Sequence, residues 1–370
     1  MRKYKVGIVG ATGMVGQRFV TLCDNHPWFE TVALAASSRS AGKTYGEVVE
    51  KRWAMEKPIP ESVKDLVIMD ADADAEKLAG MVDFLFCAVD MKKDEIRALE
   101  DRYAKYECPV VSNNSAHRGT PDVPMIIPEL NYSHLEVIPY QRKRLGTQRG
   151  FVAVKSNCSL QSYVPALAPI KDLYGLNKSL VCTYQAISGA GKTFETWPEM
   201  IDNVIPFISG EEEKSEQEPM KIWGQLKDGI IVPATSPAIT AQCLRVPVSN
   251  GHMAACLLPS IRSPIWSRSR KSGAASVPAP RNWSSPPLRS SSCTTSKRTI
   301  CPRPSCSAIS RAAWPFPSAV CVPTPSMISS LFAFPTTRSA VRPAVRSFWQ
   351  NCSAQRDTLT ASKKSKGVAL

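Results

Sequence analysis

The sequence predicts an α/β protein built on a doubly wound parallel sheet. Two observations carry this expectation. Short apolar runs of strand length recur along the first half, separated by stretches long enough for helices. The first of these runs leads directly into a glycine-rich turn, Gly10-Ala-Thr-Gly13-Met-Val-Gly16, and then into a helical pattern.

Residues 5–10 are the first strand, and the helix after it runs through Arg18, Phe19, Leu22 and Cys23. Further strand-like runs occupy 32–36, 66–69, 84–89 and 110–112. A strand, a glycine turn and a helix N-terminus make a pyrophosphate site, because glycines admit close backbone approach and the N–H groups and helix dipole face the anion. The plainer alternative is a turn that only packs helix on sheet. The second strand ends in Ala36-Ser37-Ser38-Arg39-Ser40. An NAD site places an acid there for the ribose 2′-OH, whereas hydroxyls and a guanidinium suit a 2′-phosphate. NADP is therefore the expected cofactor, with a solvated loop arginine as the alternative.

Residues 151–156 form another apolar strand, which runs into Asn157-Cys158-Ser159 and a helix through Tyr163, Leu167 and Ile170. A cysteine where a strand meets a helix N-terminus can be held as thiolate by the dipole and nearby N–H groups, and the same groups suit an oxyanion. Cys23, Cys87, Cys108, Cys182 and Cys243 lie in apolar patterns and read as inert core residues. A thiol nucleophile needs a base. Of the four histidines, His26 and His134 lie in loop-like contexts and His117 sits beside Arg118. His252 follows a strand-like run over 243–248 and the turn Ser249-Asn-Gly251, and it is the expected partner.

Composition changes sharply after Cys256. Up to there, 29 Lys+Arg face 31 Asp+Glu; from Leu257 on there are 17 basic residues and a single acid, Asp357. The net charges, −2 and +16, put the whole excess of +14 in the last stretch. That stretch holds 24 Ser and 14 Pro but only two Gly, and has no sustained apolar period. Disorder is one reading of it. A frameshift is the sharper one: read one base earlier, the codons of 334–352 permit Ser-His-Asn-Thr-Val-Arg-Gly-Ala-Ala-Gly-Gly, a helical composition the actual sequence lacks. RNA binding through Arg268, Arg270, Lys271 and Trp266, or Lys297 and Arg298, is a competing account of the same basicity. The frameshift explains it with no selected function, so nucleic acid is not the expected partner. The twelve cysteines include no CxxC pair and read as reduced thiols. With no signal peptide or bilayer-length apolar run, the expectation is a cytoplasmic protein with no membrane partner.

Gly-Ala-Thr-Gly-Met-Val-Gly (10–16), Ser-Asn-Cys-Ser (156–159), Gln-Ala-Ile-Ser-Gly-Ala-Gly (185–191) and Arg-Val-Pro-Val-Ser-Asn-Gly-His (245–252) occur in the order found in aspartate-semialdehyde dehydrogenases. The first 256 residues resemble the archaeal and fungal branch of that family. The resemblance implies an NADP-binding Rossmann domain at 1–155. It implies an α+β catalytic and dimerisation domain from 156, incomplete at 256, and a frameshifted, unstructured tail over 257–370. The implied reaction is the NADP-dependent reductive dephosphorylation of L-aspartyl 4-phosphate to L-aspartate 4-semialdehyde, on the route to lysine, threonine, methionine and isoleucine. Carried onto this chain, Cys158 is the nucleophile that forms a thioester, His252 the acid/base, and Gln185 the residue that orients the intermediate. Arg118, Asn157, Glu211, Lys214 and Arg245 bind substrate, Arg245 at its α-carboxylate and Arg118 at its phosphate. The Glu-Glu-Glu-Lys run that holds Glu211 and Lys214 also reads as a solvated charge cluster. Gly10, Thr12, Gly13, Met14, Val15, Ser37, Ser38 and Arg39 hold the cofactor, with Ser188 and Gly189 near the nicotinamide. No metal is implied, and the family assembles as homodimers or homotetramers.

Two alternatives stay open: a related acyl-reducing enzyme such as a malonyl-CoA reductase, and an inactive frameshift product. The family's later strands and final helix are missing as protein sequence. A half-built second sheet is therefore expected, with an open edge, a frayed strand around 245–252, a poorly fixed His252 and an aggregation-prone chain.

Overall fold

The computed structural model describes residues 3–258, 308–310 and 319–323. The strands β1 (Tyr4–Val9), β2 (Phe29–Ala36), β3 (Met69–Asp70), β4 (Phe84–Cys87), β5 (Val110–Ser112), β6 (Met125–Ile126) and β7 (Val152–Lys155) form one seven-stranded sheet. Its order is β3-β2-β1-β4-β5-β7-β6, with parallel pairings throughout. The helices α1 (Met14–Cys23), α2 (Tyr45–Val49), α3 (Glu61–Lys64), α4 (Ala75–Met81), α5 (Lys93–Lys105), α6 (Pro128–Asn131) and α7 (Ile138–Leu145) connect them. Strands covered on both faces read as continuous apolar runs, and Val6, Ile8 and Val9 are fully buried. On one face Phe19, Phe29, Phe84 and Phe86 pack together, Phe19 and Phe86 stacked at 4.5 Å. Each such ring contributes about 1.5–3 kcal/mol by burial. On the other face Leu78, Leu85, Tyr103 and Val152 belong to a core that continues through Tyr163, Leu167, Val181 and Ala254 into the second half of the chain.

The doubly wound expectation holds, with shifted boundaries. The first strand ends at Val9 because Gly10 turns away at φ +83°. A Cβ there would lie 2.2 Å from the Ala88 carbonyl oxygen, so only glycine fits between the ends of β1 and β4. The run at 66–69 contributes only Met69 to the sheet. Leu66 and Ile68 instead exchange backbone hydrogen bonds with Gly42, Lys43 and Tyr45, which folds them onto the segment before α2.

The second half begins after β7. Ser159–Ser162 form a single 3₁₀ turn, followed by α8 (Val164–Tyr174), β8 (Lys178–Gln185), α9 (Glu211–Ile222), β9 (Gln225–Lys227), β10 (Ile230–Val232), β11 (Ala238–Arg245) and β12 (Met253–Leu257). Two short strands from the basic stretch, β13 (Ala308–Ser310) and β14 (Ala319–Pro323), complete a five-stranded sheet of order β11-β8-β12-β14-β13. Only β11 and β8 pair in parallel.

The expectation of an unstructured tail over 257–370 falls mostly outside the described residues; of that stretch 257–258, 308–310 and 319–323 are described, and β13 and β14 pair. The expectation of a frayed strand around His252 is corrected. β12 does not wait for a missing partner beside β11; it lies between β8 and β14, with Met253 opposite Tyr184 and Leu257 opposite Leu180. Among the described residues no helix is long and apolar enough to cross a membrane.

Candidate active site

The site is assembled where β7, β8 and β11 end. Lys155 closes β7, and the chain passes through Ser156 and Asn157 to Cys158, which caps the 3₁₀ turn. The α-helix starts only at Val164, so Cys158 does not stand at an α-helix N-terminus as the sequence reading expected. Other groups act on its thiol. His252 Nε2 lies 3.1 Å from Cys158 Sγ, and His252 Nδ1 accepts the Ala186 N–H at 3.0 Å. Cys158 is partly exposed while His252 is buried. Burial pushes the Cys158 thiol up, but the electrostatic influence of the His252 ring, its hydrogen bond and the charge of Lys155 outweigh this and bring it down to about 7. Burial instead pushes Cys23 and Cys108 up to about 12, in keeping with inert core thiols. Cys182 departs from that reading in being partly exposed.

Asn157 ties the turn to α9. Its N–H donates to Glu218 at 2.6 Å, and its side-chain amide donates to both oxygens of Glu211 at 3.0 and 2.9 Å. Its carbonyl oxygen accepts from Ser159 N–H and Oγ, both at 2.8 Å. Glu211, Lys214 and Glu218 stand at helical spacing on one face of α9. Lys214 donates to Glu211 at 2.8 Å, so this part of the acidic run is engaged rather than simply solvated. Burial raises the Glu211 carboxyl, and its contacts with Lys214, Gln185 and Asn157 more than reverse that.

Gln185 and Arg245 end β8 and β11 as register neighbours. Gln185 donates to Glu211 at 3.1 Å, and Arg245 Nη1 donates to the Ala186 carbonyl at 2.8 Å. Gly189 lies against both Arg245 and His252: a Cβ there would fall 2.8 Å from Arg245 Nη1 and 3.0 Å from His252 Cε1. Ser188 belongs to the same short turn. Arg118 is held by Glu218 at 3.0 Å and by the Asn113 carbonyl at 3.1 Å, while its Nε is buried without a partner among the described residues. Beneath it the buried Lys221 donates to the carbonyls of Arg118 and Thr120. Cys158, His252, Gln185, Asn157, Glu211, Lys214, Arg245 and Arg118 thus form one connected cluster.

The glycine loop lies at the same end of the first sheet. Gly13 caps α1 and is exposed; Thr12, Met14 and Val15 are partly exposed around it. The loop is braced from behind. Tyr45 donates to the Ala11 carbonyl at 3.0 Å, and Gln17 donates to the carbonyls of Thr12 and Arg52 while accepting from Ala54 N–H. Ser37, Ser38 and Arg39 are exposed in the turn after β2. The glycines bring the loop backbone beside a helix N-terminus, an arrangement that suits a pyrophosphate. Among the described residues no cluster of three or more His, Cys, Asp or Glu could hold a metal.

Sequence reasoning missed Lys155, Glu218 and the Ala186 backbone. Glu218 carried a readable signal, one turn beyond Lys214 and two beyond Glu211 on the same face. Lys155 carried another, as the one charge in the apolar run 151–156.

Comparison with known proteins bears on this geometry. Residues 5–138 match the NAD-binding domain of semialdehyde dehydrogenases, and residues 167–264 their dimerisation domain. The chain is 45% identical to an aspartate-semialdehyde dehydrogenase of Methanothermobacter thermautotrophicus over 253 residues, covering 68% of this chain and 70% of that protein. It is 41% identical to one of Cryptococcus neoformans over 267 residues, covering 70% and 71%. Among solved structures, aspartate-semialdehyde dehydrogenase with NADP from Candida albicans superposes with a TM-score of 0.65 at 33% identity, covering 74% of this chain and 77% of that one.

Proposed function

Because the chain belongs to the aspartate-semialdehyde dehydrogenase family, we propose that it reduces L-aspartyl 4-phosphate to L-aspartate 4-semialdehyde at the Cys158–His252 centre, using NADPH. The observation that carries this reading is the 3.1 Å contact between Cys158 Sγ and His252 Nε2, with Nδ1 fixed by Ala186. The Cys158 sulfur attacks the acyl carbon, a carbon–sulfur bond forms, and phosphate leaves with the electron pair of the broken C–O bond. Glu211 fixes the side-chain amides of Asn157 and Gln185, and in this reading Gln185 orients the intermediate. In this reading Arg118 holds the departing phosphate and Arg245 the α-carboxylate, both as guanidinium donors to an anion. NADPH, when bound, would supply a hydride to the thioester carbon; the carbon–sulfur bond then breaks with its electron pair on the Cys158 sulfur, which frees the aldehyde. The cradle at Gly10–Val15 would take its pyrophosphate, and Ser37, Ser38 and Arg39 its 2′-phosphate. His252 Nε2, 3.1 Å from the sulfur, would hand its proton to the developing oxyanion.

We also read the chain as a homo-oligomer. The outer face of the second sheet exposes Leu180, Met253 and Leu257, an apolar patch within the region that matches a dimerisation domain.

Replacing Cys158 by Ala tests the proposal. Turnover of aspartyl phosphate should vanish while NADPH binding stays intact. Retained turnover would refute the assignment, and turnover of malonyl-CoA in preference to aspartyl phosphate would redirect it.

A further inference from the structure

We propose that Lys155 is the buried cation that holds the Cys158 sulfur as a thiolate, making it a positioning residue for the nucleophile, while His252 serves the same sulfur as a neutral hydrogen-bond donor. This rests on reading Cys158 as the nucleophile. Lys155 ends a strand buried along its whole length and is 2% exposed. Its ammonium has three N–H groups, yet among the described residues its one hydrogen-bond partner is the Ser156 carbonyl at 2.9 Å. An ammonium that deep is costly unless an anion lies close.

The candidate anions can be sorted. Besides Lys155, the charged groups around the sulfur are His252 at the entry to β12, Glu211 on α9 and Arg245 on β11. Glu218 and Arg118 also act on Lys155. Glu211 already accepts from Asn157, Gln185 and Lys214, and Glu218 from Arg118 and the Asn157 N–H. Both carboxylates therefore have their own cation, and the sulfur is the anion left for Lys155.

His252 is a poor source of that charge. Its Nδ1 uses its lone pair to accept the Ala186 N–H. A second ring proton would sit on Nδ1 and face that N–H donor, so the ring carries one proton, on Nε2 and directed at sulfur. Although an imidazolium would also lower the thiol, the hydrogen bond argues for the neutral ring. Titration behaviour agrees: burial brings Lys155 down to about 8, and the Cys158 charge is the largest influence resisting that fall.

The test uses the full chain. Iodoacetamide alkylation of Cys158 is followed against pH by peptide mapping, which separates it from the other cysteines. The native midpoint should lie below the ordinary thiol range. In Lys155→Met, which keeps length and loses charge, it should rise by about one unit, roughly a tenfold loss of thiolate below the midpoint. Lys155→Arg should keep the native midpoint. A residue that only packs would change melting temperature without moving the midpoint, so a folded Lys155→Met with the native midpoint overturns the proposal. If that variant does not fold, the native chain decides. The ¹³Cε signal of Lys155 is titrated before and after carbamidomethylation of Cys158. Loss of the thiolate should lower the Lys155 midpoint, by reciprocity of coupled sites. An unchanged Lys155 titration overturns the proposal. Retained turnover in Cys158→Ala would sink the nucleophile reading while leaving this coupling measurable.

Discussion

Gly13 and Gly16, three residues apart, should differ in the stability each loses to a single added methyl group. In Gly16→Ala the new Cβ would lie 2.2 Å from the Gly10 carbonyl oxygen and 2.6 Å from Ala11 Cα. Both obstacles are backbone, so no side chain can rotate aside. Helix α1 and the loop must separate by about 1 Å before the methyl reaches ordinary contact distance. Overpacking of this kind costs about 1–3 kcal/mol, offset by up to about 1 kcal/mol of better helix propensity. The larger effect falls on the cofactor. A helix moved by that much takes its first-turn N–H groups off the pyrophosphate, and one lost charge-assisted hydrogen bond of about 1.5–3 kcal/mol weakens NADPH binding about 10- to 150-fold. Gly13→Ala is the contrasting case. Gly13 has φ −78°, which alanine adopts freely, and its nearest obstacle is the Gly10 carbonyl oxygen at 3.7 Å. That variant should melt within a degree or two of the parent. Its methyl nevertheless stands on the exposed side of the loop, where the anion would approach, so NADPH binding should fall. NADPH fluorescence titration and thermal melting read both effects. Native-like NADPH affinity in both variants, or a Gly13→Ala chain less stable than Gly16→Ala, would refute the cradle.

Two further outcomes follow from the same geometry. Arg39→Ala should weaken NADPH binding by about 1.5–3 kcal/mol and leave NADH nearly unchanged; equal losses for both cofactors would remove the 2′-phosphate assignment. His26 accepts the N–H groups of Trp28 and Phe29 through Nδ1 and is lowered to about 4, first by burial and then by the Lys3 charge. Its folded pKa lies below the unfolded value, so the unfolded chain takes the proton first. Stability from His26 is thus complete above about 6.5 and drains away as pH falls toward 4. Urea midpoints of the parent and His26→Gln should converge over that interval, and a constant gap between them would count against it.

The sequence alone determined the features that depend on neighbouring residues. The glycine loop was legible because tight turns and close backbone approach are set within a few positions, as at Gly10 with its positive φ. Cys158 stood out at a strand end, and His252 after a strand and a turn, for the same local reason. The resemblance added Gln185 and Arg245, but only the paired strands β8 and β11 bring them side by side. Tertiary structure alone decided who partners whom. The Cys158–His252 contact spans 94 positions and the Asn157–Glu218 hydrogen bond 61, so no local pattern could report either. It also decided where β12 goes. That strand's alternating burial fits several neighbours, and register with β8 and β14 selects one. Lys155 was visible as a charge in an apolar strand, but its meaning depends on which anion the fold leaves unpaired. Charge in a buried site takes its value from the surrounding dielectric and partners, and those are assembled only when distant segments meet.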